Sequence, residues 1–406
     1  MKEVRFLDRR TPPHIVSLVL IAGLSALTMN IFLPSLPDMA AHFRVDYAVI
    51  QMVISAYIAM TAVVQVVIGP LSDRLGRRPT MIASLVVLIL ATLICLVAND
   101  FYTLMFGRLL QTAVVAGLVL SRAVIRDMVP MEEAASMIGY VTMGMTLVPM
   151  VGPALGGVLN DAFGWRASFF AILILGTVVL ALVASDLGET NRNRSESFAA
   201  QFKSWPQLLS SSRFWGYTAT ATFTSGAFFA FLGGSPFVGA TILQLTPSTL
   251  GLQFFFIAGG YMVGNYCSGR FARRAGISNM MLIGSLFAVV GTLIPLALIS
   301  LGYNTALAFF GPLVIMGLGN GLTLPSANAG MVSVKPHLAG SASGLGGAIT
   351  MGGGAALSVL ASSLLTVETG AYPLLAVMLV SGILAIASVL YLRFTNDDSP
   401  EREISR

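Results

Sequence analysis

Long apolar stretches, each bounded by a short polar, glycine- or proline-containing turn, recur along the whole 406-residue chain. Windows of about 19 residues place them near 15–37, 48–69, 80–98, 101–121, 134–158, 165–185, 214–237, 248–269, 277–300, 305–332, 340–365 and 370–392. Each can cross a hydrocarbon core as a helix, which takes ~20 residues. The pattern therefore predicts an all-α integral membrane fold with twelve transmembrane helices. One polar stretch, Asp186 to Ser212, rich in Asn, Arg, Ser and Glu, separates six spans in residues 1–185 from six in residues 213–406. It reads as a cytoplasmic linker between two six-helix bundles. Within it Phe198, Phe202, Trp205 and Leu209 have the spacing of one helical face resting on the membrane surface. Pro206 limits such a helix, and a solvated loop with a few anchors is the other reading.

Composition agrees: 56% of residues are hydrophobic and 10% charged, against roughly a quarter charged in soluble proteins. That excludes a soluble enzyme, a disordered chain and a collagen-like fibre. Charge placement adds orientation. With the N-terminus inside, 20 of the 23 basic residues fall on the cytoplasmic side, only Arg44 and Arg166 fall outside, and Arg108 lies in the membrane. The bias predicts a multi-pass topology with both termini cytoplasmic, and no nucleic-acid partner. Lys2, Arg5, Arg9 and Arg10 resemble the start of a signal peptide, but eleven further spans favour an uncleaved first helix. Trp165, Trp205 and Trp215 fall at helix ends or in the linker, where amphipathic rings are expected at headgroup level.

The halves look like copies. Gly69 to Pro79 (GPLSDRLGRRP) follows the second span and Gly264 to Gly276 (GNYCSGRFARRAG) the eighth, with Arg77-Arg78 and Arg273-Arg274 placed 196 residues apart. Repeated bundles with a substrate site at their interface are a transporter architecture.

Several chemistries are excluded. No lysine follows a glycine-rich loop, so the chain carries no ATP-binding P-loop. Two cysteines in apolar runs and three scattered histidines give no disulfide framework, metal site or catalytic set, so neither an enzyme activity nor a cofactor is expected. The glycines at 317, 319 and 321 lie inside an apolar run and are not a phosphate cradle. In the Gly69 to Pro79 loop, Gly69 is expected where helices nearly touch and Pro70 and Gly76 at a turn. Asp73 is expected to pair with Arg74, Arg77 or Arg78, or to cap a helix.

That loop resembles the signature loop of the major facilitator superfamily. Gly107-Arg108-Leu109-Leu110-Gln111 is similar to that superfamily's fourth-helix motif, and Gly152-Pro153-Ala154-Leu155-Gly156-Gly157 to the fifth-helix motif of its drug antiporters. Leu33-Pro34-Ser35-Leu36-Pro37, Ser121 to Asp127 and Ser235-Pro236-Phe237 resemble the Bcr/CflA group of twelve-span drug exporters, which includes chloramphenicol, florfenicol and bicyclomycin exporters. The resemblance implies a monomeric multidrug efflux transporter of the bacterial cell inner membrane that confers antibiotic resistance by antiport with protons. Gly69, Asp73, Arg74, Gly76, Arg77 and Arg78 would form its cytoplasmic gate. Gly152, Pro153 and Gly156 would let the fifth helix pack closely and bend, and close packing alone is the structural alternative.

Family members commonly carry an Asp in the first helix where this chain has Asn30. None of the 18 acidic residues falls clearly within a predicted span. Proton coupling would then need a carboxylate at a helix end, and Asp38, Asp127 and Glu368 are the candidates. Arg108 either touches substrate or modulates a proton site, or it snorkels to the periplasmic interface. A cavity with Arg108 and no acid would favour neutral or weakly anionic compounds, such as phenicol-type antibiotics, over lipophilic cations. Asn30, Tyr57, Gln65, Gln111, Tyr261, Asn265, Asn320 and Asn328 are the other expected cavity residues, since amides and phenols avoid lipid; interhelical hydrogen bonding is the alternative for each. A metabolite exporter or facilitator without proton coupling is the competing function. A membrane sensor is the competing class, disfavoured because the longest loop is the linker.

Overall fold

The computed structural model describes residues 6–11, 13–128, 137, 148, 151–191, 205–335 and 338–397. Among the described residues every regular element is helical. In chain order these are α1 (Ile15–Asn30), α2 (Leu36–Phe43), α3 (Tyr47–Leu75), α4 (Arg77–Val97), α5 (Phe101–Gln111), α6 (Val115–Met128), α7 (151–163), α8 (Arg166–Asp186), α9 (Trp205–Leu209), α10 (Ser212–Phe237), α11 (Pro247–Ala275), α12 (Ile277–Ser300), α13 (Ala306–Phe310), α14 (Leu313–Ser333), α15 (Ala339–Ser363) and α16 (Tyr372–Asp397).

Ten stretches among them are long and apolar enough to cross a membrane. They coincide with ten of the twelve predicted spans. The eighth is α11, whose 29 residues include Gln253, Tyr261, Asn265 and Tyr266. The fifth is represented by α7, the greater part of 134–158 lying outside the described residues, as do Phe198 and Phe202.

The chain divides into two compact units, residues 1–199 with 239–255 and residues 200–238 with 256–406. In the first unit the opening span is broken. Pro34 has no N–H for the Asn30 carbonyl, so α1 stops, a short 3-10 turn covers Leu33–Ser35, and α2 carries on to Phe43. The fourth span is also two helices, α5 and α6, joined by a 3-10 turn at Thr112–Val114. Serines stitch the two broken spans together: Ser25 Oγ donates to the Val114 carbonyl at 2.6 Å and Ser121 Oγ to Leu18 at 3.3 Å. Arg166, predicted outside, caps α4 by donating to the Leu96 and Ala98 carbonyls at 3.1 and 2.9 Å. Trp165 heads α8, at a helix end as expected, but its ring is 6% exposed and packs on His42, Phe43 and Phe169.

In the second unit glycines zip three helices together. A Cβ on Gly317 or Gly321 of α14 would overlap the Ile257 or Tyr261 carbonyl of α11, and one on Gly319 would overlap the Gly284 carbonyl of α12. The Gly317 to Gly321 run is thus a packing seam of the small-residue kind. The predicted surface helix of the linker is the five-residue α9. Its Leu208 is fully buried against Phe214 and Tyr217, while Leu209 is 40% exposed.

The repeat has a different register from the one its arginines suggest. α3 and α11 both have 29 residues and start at 47 and 247, and each ends at a glycine of positive φ, Gly76 at 110° and Gly276 at 80°. The offset is therefore 200 residues, not 196. Arg77-Arg78 open α4, whereas Arg273-Arg274 close α11, so Arg274 is the counterpart of Arg74. Gln65 and Asn265 become equivalent positions, and so do Gly69 and Gly269.

Candidate functional site

Arg108 is 0% exposed, which rules out the snorkelling alternative. It stands in the last turn of α5, and Gly107 beside it lets α4 approach: a Cβ there would lie 2.6 Å from Cys95 Sγ and 3.0 Å from the Ala91 carbonyl oxygen. The close approach brings Gln111 to α4, where its amide donates to Thr92 Oγ1 at 2.8 Å; Thr92 in turn donates to the Leu88 carbonyl at 2.7 Å. Gln111 then presents its oxygen to Arg108 Nη1 at 2.6 Å. The same nitrogen donates to the Thr28 carbonyl at 3.1 Å. That carbonyl belongs to the last turn of α1, where helix carbonyls lack partners and the dipole is negative, so the guanidinium caps the broken first span.

Two rings hold the guanidinium as well. Its Cζ is 4.2 Å from the Phe32 ring centroid and 4.4 Å from that of Tyr57, and such cation–π contacts are worth ~2 kcal/mol when desolvated. Arg108 Nε and Nη2 and the Tyr57 hydroxyl are buried without a hydrogen-bond partner. Among the described residues no carboxylate pairs with Arg108.

The other expected cavity residues divide between the units. In the first, Asn30 is 3% exposed, and its amide nitrogen donates back to Ala26 at 2.7 Å. Gln65 is half-buried two turns beyond Tyr57. In the second, Asn320 is fully buried with its amide oxygen unpartnered, Tyr261 and Asn265 are half-buried on α11, and Asn328 is exposed.

The Gly69 to Pro79 loop folds differently from the expectation. Among the described residues nothing lies within 4 Å of a Cβ placed on Gly69, and Pro70 is buried inside α3, so Gly69 makes no close contact and Pro70 no turn. Gly76 makes the turn alone. Asp73 pairs with Arg77 at 2.6 Å, and Arg77 Nε also reaches Asp127 at the end of α6 at 3.1 Å. Arg78 donates to the Leu187 and Ala184 carbonyls at 2.9 and 3.0 Å. Arg74 closes α3.

Two carboxylates were missed. Glu189 accepts the backbone N–H groups of Arg77 and Arg78 at 2.9 and 3.3 Å, capping α4, and occupies the space a Cβ on Gly76 would need. Asp186, expected at the edge of a solvated linker, is fully buried. It accepts the Leu7 and His14 N–H groups at 2.8 and 2.9 Å and the Ser17 hydroxyl at 2.6 Å. The only sequence signal for either is an acid just past an apolar run, which reads as solvated.

In the antiporter motif, a Cβ on Gly156 would overlap the Ile31 carbonyl, while one on Gly152 would meet Leu27 Cδ1 at 3.3 Å. α7 is therefore seated on the end of α1, beside Asn30, and Pro153 lies within its described part. Of the proton candidates, Asp38 accepts a hydrogen bond from Asn160 of α7, Asp127 is held by Arg77 and by Thr190 at 3.2 Å, and Glu368 is exposed in the turn before α16.

Comparison with known proteins fits this arrangement. The chain is 28% identical to the uncharacterized MFS-type transporter YdgK of Bacillus subtilis over 93% of this chain and 94% of that one. It is 26% identical to multidrug resistance protein D of Escherichia coli over 92% and 93%, and 28% identical to a chloramphenicol resistance protein of Pseudomonas aeruginosa over 78% and 76%. Its fold matches an inward-facing bacterial homolog of the human lysosomal transporter Spinster with a TM-score of 0.71, at 15% identity, over 95% of this chain and 97% of that one. The Major Facilitator Superfamily pattern matches residues 18–359, and the chain is a twelve-helix member of that superfamily.

Proposed function

We propose that this protein is a secondary active exporter of small organic compounds, neutral or weakly anionic and including phenicol-type antibiotics, driven by the proton gradient across a bacterial inner membrane. The carrying observation is Arg108: a fully buried, permanently charged side chain with no carboxylate partner among the described residues. Its field repels lipophilic cations and favours compounds rich in carbonyl, hydroxyl or nitro oxygens. The drug-resistance names of two relatives support a drug-like substrate. In this reading the protein works as a monomer, with both termini in the cytoplasm and no cofactor. The lining residues assigned to the first unit are Tyr57, Gln65, Gln111 and Asn30, and those assigned to the second are Tyr261, Asn265, Asn320 and Asn328.

The Asp73–Arg77–Asp127 cluster serves as the cytoplasmic latch. Asp38 is the leading proton carrier. It lies in the first span, unpaired with any cation among the described residues, and bonds to Asn160 of the helix carrying Gly152 and Gly156. Asp127 is already committed to Arg77.

A facilitator without proton coupling is the second reading, favoured by Asn30, whose amide cannot titrate and is turned to Ala26. Purified protein in liposomes with an imposed pH gradient separates the two. Gradient-dependent accumulation of a neutral phenicol that Asp38→Asn abolishes supports the antiporter, and accumulation indifferent to the gradient supports the facilitator.

A further inference from the structure

We propose that the Arg108 guanidinium is a two-pronged receptor for a planar, two-oxygen acceptor group: a carboxylate, or its neutral isostere the nitro group. The proposal rests on reading Arg108 as the binding-site cation and adds which atoms bind and what chemistry fits them.

A guanidinium has five N–H donors in one plane. Here Nη1 is occupied by the Thr28 carbonyl and Gln111 Oε1, at 3.1 and 2.6 Å. Phe32 and Tyr57 lie against the group at 4.2 and 4.4 Å and fix its orientation. What remains is Nε and Nη2, both buried and both without an acceptor. These are not two arbitrary vacancies. Their N–H bonds run parallel along one edge of the guanidinium, the edge on which a carboxylate docks with two matched hydrogen bonds. The protein has immobilised the rest of the group and left that fork buried and without an acceptor among the described residues.

Among the described residues none closes the fork. Asn30 donates its amide nitrogen to Ala26, and its Oδ1 is buried without a hydrogen-bond partner, so it accepts from neither Nε nor Nη2. A single water oxygen could accept from the fork but would not match both parallel N–H bonds, as two coplanar oxygens do. The Tyr57 hydroxyl, also buried and unpartnered, gives the acceptor group or the moiety next to it a further polar contact. The same chemistry is offered by a carboxylate or nitro group carried on the substrate and by a free planar anion such as nitrate.

The test uses the full-length protein in lipid nanodiscs, labelled with 15N-arginine. The Arg108 Nε–H resonance is identified by its loss in Arg108→Lys. Sodium benzoate, 4-nitrobenzyl alcohol, benzyltrimethylammonium and sodium nitrate are titrated separately. Benzoate and the nitro compound are expected to shift the resonance saturably, and the ammonium compound to leave it in place. Benzoate affinity, measured by tryptophan fluorescence, should fall at least tenfold in Arg108→Lys, because an ammonium keeps the charge but loses the fork. Saturation by nitrate alone, with benzoate competing, assigns the fork to a free anion; saturation by the organic compounds alone assigns it to the substrate. No shift with any probe overturns the proposal, and so does equal benzoate affinity in a folded Arg108→Lys protein. If that variant does not fold, Arg108→Gln supplies the assignment and the wild-type titration decides. Gradient-driven phenicol transport without an Nε shift would sink this inference and leave the exporter standing, and a shift without transport would do the reverse.

Discussion

Arg108 and Gln111, one turn apart on α5, are joined by a 2.6 Å hydrogen bond, and Gln111 is itself held by Thr92 of the neighbouring helix. The orientation of the buried cation is thereby set by α4, through an amide that can accept from one partner and donate to the other. Gln111→Leu keeps the volume but leaves Arg108 Nη1 one acceptor short. We expect it to lower stability by about 1–3 kcal/mol and to weaken phenicol binding roughly tenfold. Thermal unfolding in detergent and equilibrium binding measure the two effects. Unchanged affinity in a folded variant would mean that Gln111 does not orient Arg108.

The turn at Gly76 makes a sharper claim. With φ at 110° and the Glu189 carboxylate in the space of a would-be Cβ, Gly76→Ala should cost about 1 kcal/mol or more. Glu189→Ala should cost about 0.5–2 kcal/mol through loss of the α4 cap. Because the alanine methyl and the carboxylate compete for one space, the double variant should be less destabilised than the sum of the singles. Strict additivity in a double-mutant cycle would refute the contact.

Gly152 and Gly156 should not respond alike. At Gly156 the obstacle is the Ile31 backbone, and at Gly152 it is the movable end of Leu27. Gly152→Ala is expected to retain most transport, and Gly156→Ala to lose it by displacing α7 from α1. Transport rates per folded protein distinguish them, and equal rates for the two variants would contradict the packing.

Asp100 caps α5, accepting the Thr103 hydroxyl and N–H at 2.6 and 2.9 Å, and these bonds hold its carboxyl below the ordinary value. A carboxyl whose pKa is depressed on folding stabilises above its unfolded value, ~3.9, and loses that contribution as pH falls through the lower folded value. Amide exchange at Thr103 should therefore be protected at pH 5 and lose protection only below about pH 4. Asp100→Ala should remove it at both pH values. Protection unchanged in that variant would show that the cap is idle.

The spans were legible because lipid demands long apolar runs and nothing else in this chain supplies them. Arg108 was legible for the complementary reason: a single cation inside a span stands out. Glu189 and Asp186 were not, since their partners are backbone N–H groups of Arg77, Arg78, Leu7 and His14, and no residue pattern announces which distant N–H will be free. The repeat was misaligned by four residues because paired arginines match by type, while the chain turns at Gly76 and Gly276. Gly69 looked like a contact residue and Pro70 like a turn. α3 runs on past both to Leu75, the proline in it giving up the hydrogen bond its missing N–H would have made.

The central claim is that a buried cation without an acidic partner selects the cargo. Parallel transport of a neutral phenicol and a quaternary ammonium dye by wild type and Arg108→Gln, in liposomes with the same pH gradient, tests it most directly. Wild type should carry the phenicol and exclude the dye, and Arg108→Gln should lose phenicol transport at least tenfold while admitting the dye. Efficient carriage of the dye by wild type would contradict it.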